Sequence, residues 1–400
     1  MYNLLDGLRI IEASSFVASP TAGLYCAQFG AEVIRVDQIG GGPDYHRWPV
    51  TDAKDSLYWE NLNRAKKSVA LDLASPKGRE MLQELVRATG QFITNFPADG
   101  FLSHAKLAER RADLVTVRIM GWADGAPALD YTVNNAVGYP LITGQGPEPV
   151  NHVLPAWDLL TGAYAAFAML AAIRKREQTG IGSEVRIPLS DVAIGTAANL
   201  GGLAEVLHNN ADRPRLGNAV YGLFGRDFVT KDSVRTMIVV VTHRQWANLV
   251  AALGLRSAVE AVETQEGVSF AADDGLRFEH RRGLFPLFEK AIGALSYDQM
   301  EAKLDEAGVV HSAYRTMWEA AHNPRLVGDN PIFSACSANP SGFAYPAAGA
   351  LGTIPQMERS DAKPAPRNGQ HSEEILSTAL GLSSGEIARL IDSGTVGIAK

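Results

Sequence analysis

Cysteine is almost missing from this chain. Its two cysteines, Cys26 and Cys336, make neither a metal-ligand spacing nor a disulfide framework. They read as two reduced thiols in a cytoplasmic protein, and no metal site is expected. Positive charge is also scarce. Against 44 Asp and Glu stand 37 Lys and Arg, a formal net charge of −7. That balance argues against nucleic acid or an anionic membrane surface as the main partner. It leaves room for a local basic pocket. The opening residues, MYNLLDGLRIIEAS, lack the basic start and apolar run of a secretory signal. The longest apolar run, 162–173, is too short to cross a bilayer. Finally, no G-x-G-x-x-G follows the first strand, where 14–18 read Ser-Ser-Phe-Val-Ala. NAD and FAD are therefore rejected as default ligands.

What is present is an ordinary globular composition, 46% apolar and 20% charged over 400 residues. A short apolar strand at 8–12 is followed by Ser19-Pro20, which reads as an N-cap and first helical residue. Gly30 ends that helix, and 31–37 is a second strand. Such a β-α-β unit has parallel strands and a right-handed crossover. Further strands are expected at 69–73, 91–96 and 112–120, with helices between them. This alternation predicts an α/β fold with a parallel sheet covered on both faces. Ligands of such sheets bind beyond the carboxyl ends of the strands. From about 221 the pattern changes to a hairpin, three helices and another strand, a smaller α+β domain over 222–325. Residues 331–366 are rich in Pro, Gly, Ala and Ser and read as an extended connection. The predicted division is 1–221, 222–325, and 326–400 returning to the large domain.

The most informative stretch is 150–191, VNHVLPAWDLLTGAYAAFAMLAAIRKREQTGIGSEVRIPLSD. It predicts a loop, a helix closed by basic residues and Thr179-Gly180, a strand, and a second helix. Asp158 stands where the first helix begins. It can cap that helix. It can equally be a nucleophilic carboxylate for acyl transfer. Spacing alone does not choose.

The same stretch resembles the class III CoA-transferases, the CaiB/BaiF family that includes formyl-CoA transferase. The shared pattern is Asp158, Thr161-Gly162, the helix to Arg176, Thr179-Gly180-Ile181-Gly182, the strand, and Asp191. Other family motifs match at 5–12, 30–37, 63–73, 94–96 and 366–376. The resemblance covers nearly the whole chain. It implies a Rossmann-like large domain, a smaller α+β domain, and a homodimer of interlocked chains. It gives Asp158 the catalytic role and makes a CoA thioester the substrate, with no permanently bound cofactor. By position it assigns Val17, Ala18, Gln38, Leu71, Ala74, Asn95, Phe96, Pro97 and Tyr131 to CoA. Gln38 stands where many relatives carry an arginine, and Ser103-His104 lie near the place of a second. Arg64, Lys66 and Lys67 are candidate replacements for the phosphates; a solvated basic run is the alternative.

Segments 40–50, 150–158, 212–218 and 221–228 are most similar to a branch that moves CoA between the two carboxyls of one bound C5 dicarboxylate. That reaction needs a cation for the free carboxylate, and Arg47, His152, Arg215 and Arg226 are the candidates. Intermolecular transfer and α-methylacyl-CoA racemisation are the alternatives. The racemase branch carries a histidine where this chain has Tyr131. His371 reads as part of a structural turn, and Ser372 as the N-cap of the helix after it.

Overall fold

The computed structural model describes residues 1–399 as two compact units. The larger comprises 1–138, 152–210 and the chain from 324 onward; the smaller comprises 139–151 and 211–323. The smaller unit thus begins at Ala211 rather than 222. It also takes in 139–151, a segment whose local pattern carried no sign of that exchange.

In chain order the strands are β1 Arg9–Ala13, β2 Glu32–Gln38, β3 Lys67–Leu71, β4 Gln91–Thr94, β5 Val115–Met120 and β6 Ser183–Pro188. They continue as β7 Phe224–Val229, β8 Arg235–Val240, β9 Val310–Ala313, β10 Phe333–Cys336, β11 Tyr345–Ala348 and β12 Val396–Gly397. The large unit is built on one seven-stranded sheet, ordered β12-β3-β2-β1-β4-β5-β6. All its pairings are parallel except that of β12, which runs antiparallel to β3. The order reverses direction at β1, so loops leaving β1 and β4 part there and open a crevice.

The strands are apolar on both faces because both faces are covered. Ile10, Val33, Ile93 and Val117 pack with the helices Ala18–Gln28 and Ala156–Thr179. Ile11, Ile34, Val36 and Phe92 pack on the other face with the helices Pro76–Thr89 and Ser372–Leu380. The Ala156–Thr179 helix has 24 residues and is long and apolar enough to span a bilayer by those measures alone. Thr161, Gly162, Ala165 and Met169 are instead buried on its inner side. Gly162 permits the close crossing of the Ala18–Gln28 helix. A Cβ there would lie 2.6 Å from the Cβ of Thr21 and 2.7 Å from the carbonyl oxygen of Ala18.

Three local expectations are corrected. The first helix starts at Ala18 with Val17 at the cap position, so Ser19 does not cap it. His371, not Ser372, occupies the cap of the Ser372–Leu380 helix. The Ser372 hydroxyl accepts from the amide of Ala70 and donates to the carbonyl of Gly397 at 2.7 Å. Tertiary partners have taken it from local capping. The connection over 331–366 is also not structureless, since β10 and β11 pair within it as an antiparallel ribbon.

The loops beneath the crevice are anchored by a buried ionic cluster. Arg35 is fully buried and donates to Glu12 at 3.1 Å, to Asp37 and Asp44 at 3.0 Å, and to the carbonyl of Ser14 at 2.8 Å. One guanidinium therefore ties the ends of β1 and β2 to the loop carrying Arg47.

The smaller unit holds the antiparallel sheet β7-β8-β9. Its core is aromatic, with Phe224, Phe228, Trp246, Phe270, Phe285 and Phe288 in one cluster.

Candidate active site

A cleft of about 640 Å³ opens at the carboxyl ends of β1, β4, β5 and β6 in the large unit. Val17, Ala18, Asn95, Phe96, Pro97 and Asp158 all line it. Five residues expected to bind CoA and the expected nucleophile, scattered over 140 positions of sequence, therefore share one cavity.

The helix Ala156–Thr179 brings Asp158 there in its first turn. Asp158 is not the cap. Pro155 holds the cap position and has no side-chain bond to offer. The capping is done from outside by Asp130, whose carboxylate accepts from the amides of Trp157 at 2.7 Å and Asp158 at 3.0 Å. The other oxygen of Asp130 meets Nε2 of His152. The Asp158 carboxylate accepts no hydrogen bond from any described residue, so both oxygens are free to attack. Burial and the Asp130 carboxylate push its pKa up to about 7, against a downward pull from Arg47. A carboxylate nucleophile acts in its ionised form; here burial, and then the like charge of Asp130 at the helix terminus, favour the protonated form of Asp158.

The first helix also begins at this cleft. Its opening amides, at Val17 and Ala18, are unpaired in the helix and point toward the space before it. The loop leading in is held by Asn95, whose side chain accepts from the amide of Ser15 at 3.1 Å and donates to its carbonyl at 2.9 Å. Phe16, with φ of 70°, makes the tight turn that exposes those amides.

Not every candidate reaches the cleft. Leu71 is fully buried, because it ends β3 inside the apolar core. Its side chain is no CoA contact. Ala74 is exposed but does not line the cleft, and Gln38 donates to the carbonyl of Gly41 at 3.0 Å. Tyr131 packs edge-on against His152 at 5.7 Å and donates to the carbonyl of Val153.

The three basic residues proposed for the phosphates are structural instead. Lys66 is buried on Glu12 at 2.8 Å and the carbonyl of Pro20 at 2.8 Å. Lys67 bridges Glu32 and Glu374, and Arg64 donates to Asn61 at 2.7 Å. Lys66 meets a buried acid, Lys67 two partly exposed ones and Arg64 an amide, and sequence could not show which groups lie opposite. His371 does hold a turn, accepting from the amide of Ser68 at 3.1 Å.

Among the carboxylate candidates, Arg47 and His152 belong to the large unit, and Arg215 and Arg226 to the smaller. Arg47 sits 5.4 Å from the ring of Phe16 and 5.3 Å from that of Tyr58. Its charge acts directly on Asp158. His152 is committed to Asp130. Arg215 donates to the carbonyls of Leu141, Gly146 and Glu148, and with Arg226 lines a cavity of about 400 Å³.

The sequence reading missed Asp130 as a capping group, since it lies 28 residues from the amide it holds. It also missed Arg118 and Arg186. The alternation of β6 placed both Glu184 and Arg186 on one side, but nothing local showed what they face.

Such a site, an unpaired carboxylate at a helix start beside free amides in a crevice of an α/β sheet, suits covalent acyl transfer. The chain belongs to CoA-transferase family III, whose model matches residues 5–372. Members of that family use CoA thioesters as substrates, and the chain is an enzyme. It is 45% identical to the 2-methylfumaryl-CoA isomerase of Chloroflexus aurantiacus, over 99% of this chain and 98% of that one. It is 26% identical to succinyl-CoA–D-citramalate CoA-transferase of the same organism, over 96% of each chain. The crystal structure of a CaiB/BaiF family protein from Brucella suis shares the fold, with a TM-score of 0.77 at 23% identity over 95% of this chain and 100% of that chain.

Proposed function

We propose that this enzyme moves CoA from C1 to C4 of mesaconyl-CoA, within one bound molecule. The observation that carries the chemistry is the free Asp158 carboxylate in a cleft lined by the loops after β1 and β4. The substrate is supported by the likeness to the Chloroflexus isomerase over nearly the full chain.

Asp158 attacks the thioester carbonyl, the C–S bond breaks, and CoA leaves as a thiolate with a mixed anhydride behind it. The thiolate then attacks the aspartyl carbonyl, giving an aspartyl-CoA thioester and a free diacid in the cleft. The C4 carboxylate attacks that thioester and releases the thiolate again. Attack of the thiolate on the C4 acyl carbon restores Asp158 and forms the isomer. The amide of Ala18 faces the developing oxyanions. Val17, Asn95, Phe96 and Pro97 hold CoA by shape, and Ala74, Gln38 and Tyr131 stand outside the cleft as peripheral contacts at most. Arg47 pairs with the carboxylate not under attack. His152 is a positioning residue for Asp130. Arg215 and Arg226 are the carboxylate candidates carried by the smaller unit.

Incubation with mesaconyl-C1-CoA and excess labelled mesaconate tests this reading. Unlabelled C4-CoA is the expected product. Labelled C4-CoA would show an external acid as acceptor and make the chain an intermolecular transferase, as the name of its 26% identical relative describes. Racemisation is disfavoured because the histidine of the racemase branch is replaced by Tyr131, and no histidine lines the cleft among the described residues.

The working form in this reading is a homodimer. Tyr164 and Phe167 on the long helix are 53% and 66% exposed, and Leu200 and Leu207 beyond it 74% and 80%. So much exposed apolar surface calls for cover, and a second copy supplies it. Sedimentation equilibrium is expected to give twice the 42.9 kDa chain mass; the single-chain mass at micromolar concentration would refute the dimer.

A further inference from the structure

The cleft has a charge problem. Three aspartates line it, Asp99, Asp124 and Asp158, and a single cation, Arg186, among the described residues. CoA brings two diphosphate charges and about −1.5 to −2 more on its phosphate monoester. Lys66, Lys67 and Arg64, the sequence candidates for that charge, are held by protein partners elsewhere.

Arg186 is built to meet it. It lies on β6, the edge strand, opposite Arg118 of β5. Its Nε donates to Glu184 at 2.8 Å, and no described residue bonds its two terminal nitrogens. The side chain is 55% exposed, so that fork stays open to solvent and ligand. The other oxygen of Glu184 accepts from Nε of Arg118 at 2.8 Å. Arg118 is fully buried and donates to the carbonyls of Phe96 at 2.7 Å, Pro97 at 3.0 Å and Leu102 at 2.7 Å. Two arginines share one glutamate, which leaves one net positive charge, and Arg186 presents it at the rim. The same trio clamps the loop after β4 into the shape that lines the cleft.

We infer that Arg186 is the phosphate-binding residue of the cleft, gripping a CoA phosphate through its two terminal nitrogens while Glu184 and Arg118 hold it in register with the 96–102 loop. This rests on reading the cleft as the CoA site. An arginine suits the task where a lysine does not. Its planar fork bonds Glu184 through Nε and a phosphate through both Nη atoms at once.

The test compares wild type, R186Q and R186K on mesaconyl-CoA and on the mesaconyl thioester of pantetheine, which has no phosphate. R186Q is expected to raise KM for mesaconyl-CoA about 10- to 100-fold, the effect of losing one charge-assisted contact. Its kcat should stay within about twofold and its KM for the pantetheine thioester should match wild type. R186K, which keeps the charge without the fork, should fall between. An unchanged KM for mesaconyl-CoA would overturn the inference. So would an equal loss on both thioesters, which would mean that Arg186 only supports the loop. Calorimetric titration with free CoA separates this result from the choice of acyl group. If wild type binds CoA and R186Q binds it at least tenfold more weakly, Arg186 holds the phosphate even where mesaconyl-CoA is no substrate. Equal affinity would overturn the role whatever the substrate.

Discussion

Asp158→Asn is expected to lower CoA transfer by about 10³-fold or more, the scale of loss when a covalent nucleophile is removed. It should do so while making the protein more stable above neutral pH. The Asp158 carboxyl has its pKa raised from near 3.9 when unfolded to about 7 in the fold. The ionised form is therefore disfavoured by the native state. As pH rises from about 4 through 7, the wild type loses stability that the Asn variant keeps. The difference at pH 8 should be on the order of 4 kcal/mol, about three pKa units at about 1.4 kcal/mol each, and should fall nearly to zero by pH 4. Thermal unfolding of both proteins at the two pH values reads it. The rate has the opposite sign. The free-enzyme kcat/KM of wild type should rise with pH through about 7, as Asp158 loses its proton. Asp130→Asn removes a neighbouring negative charge, so the acid limb moves to lower pH. Arg47→Gln removes the opposing positive charge, so the limb moves higher. A variant at Asp158 with the wild-type rate would end the nucleophile assignment.

Arg35→Met is expected to produce the largest loss of stability, about 3–5 kcal/mol at pH 8. Arg35 lies among Glu12, Asp37 and Asp44, all of them buried with it. Lys66 contributes the one other cation that bonds Glu12 there among the described residues. Removing the guanidinium leaves three carboxylates facing one ammonium in a low-dielectric interior. Burial already raises the pKa of Asp37. Without Arg35 it should take up a proton below neutral pH, so the variant should regain part of the loss between pH 8 and pH 6. The effect should also reach the site. Arg35 holds the carbonyl of Ser14 and the carboxylate of Asp44, and these fix the loops that bear Val17 and Arg47. A raised KM is expected in whatever fraction still folds. Chemical denaturation at the two pH values measures the first effect. An unchanged midpoint at pH 8 would mean that the cluster adds nothing to stability.

The ionic cluster also explains why residues that look like ligands in the sequence have partners inside the protein. Glu12, Arg35, Asp37, Asn63 and Lys66 all fall in the segments that carry the resemblance, and of these Lys66 was a candidate for the CoA phosphates. The structure gives them work inside the protein. Lys66 was a plausible phosphate ligand only while Glu12, 54 residues away, had no known place. Leu71 failed for a similar reason: a position at the end of a strand says nothing of whether the side chain turns inward. Asn95 lines the cleft because the loop after a central strand at the switch point opens there.

The boundary expected at 222 lies at 211 in the structure, and the resemblance rather than spacing singled out Asp158. Periodicity and local chemistry were enough for the alternation of strands and helices and for the parallel sheet. These follow from contacts within about a dozen residues, where side-chain spacing and turn residues act directly. The tertiary structure alone decided how the site is charged and held. Asp130 caps a helix 28 residues away and adds to burial in raising the proton affinity of Asp158. Arg118 and Arg186 divide one glutamate on neighbouring strands. Pairings of that kind depend on which buried charges meet once the sheet has formed. Because a desolvated charge must find its partner at any separation along the chain, no local pattern records the choice.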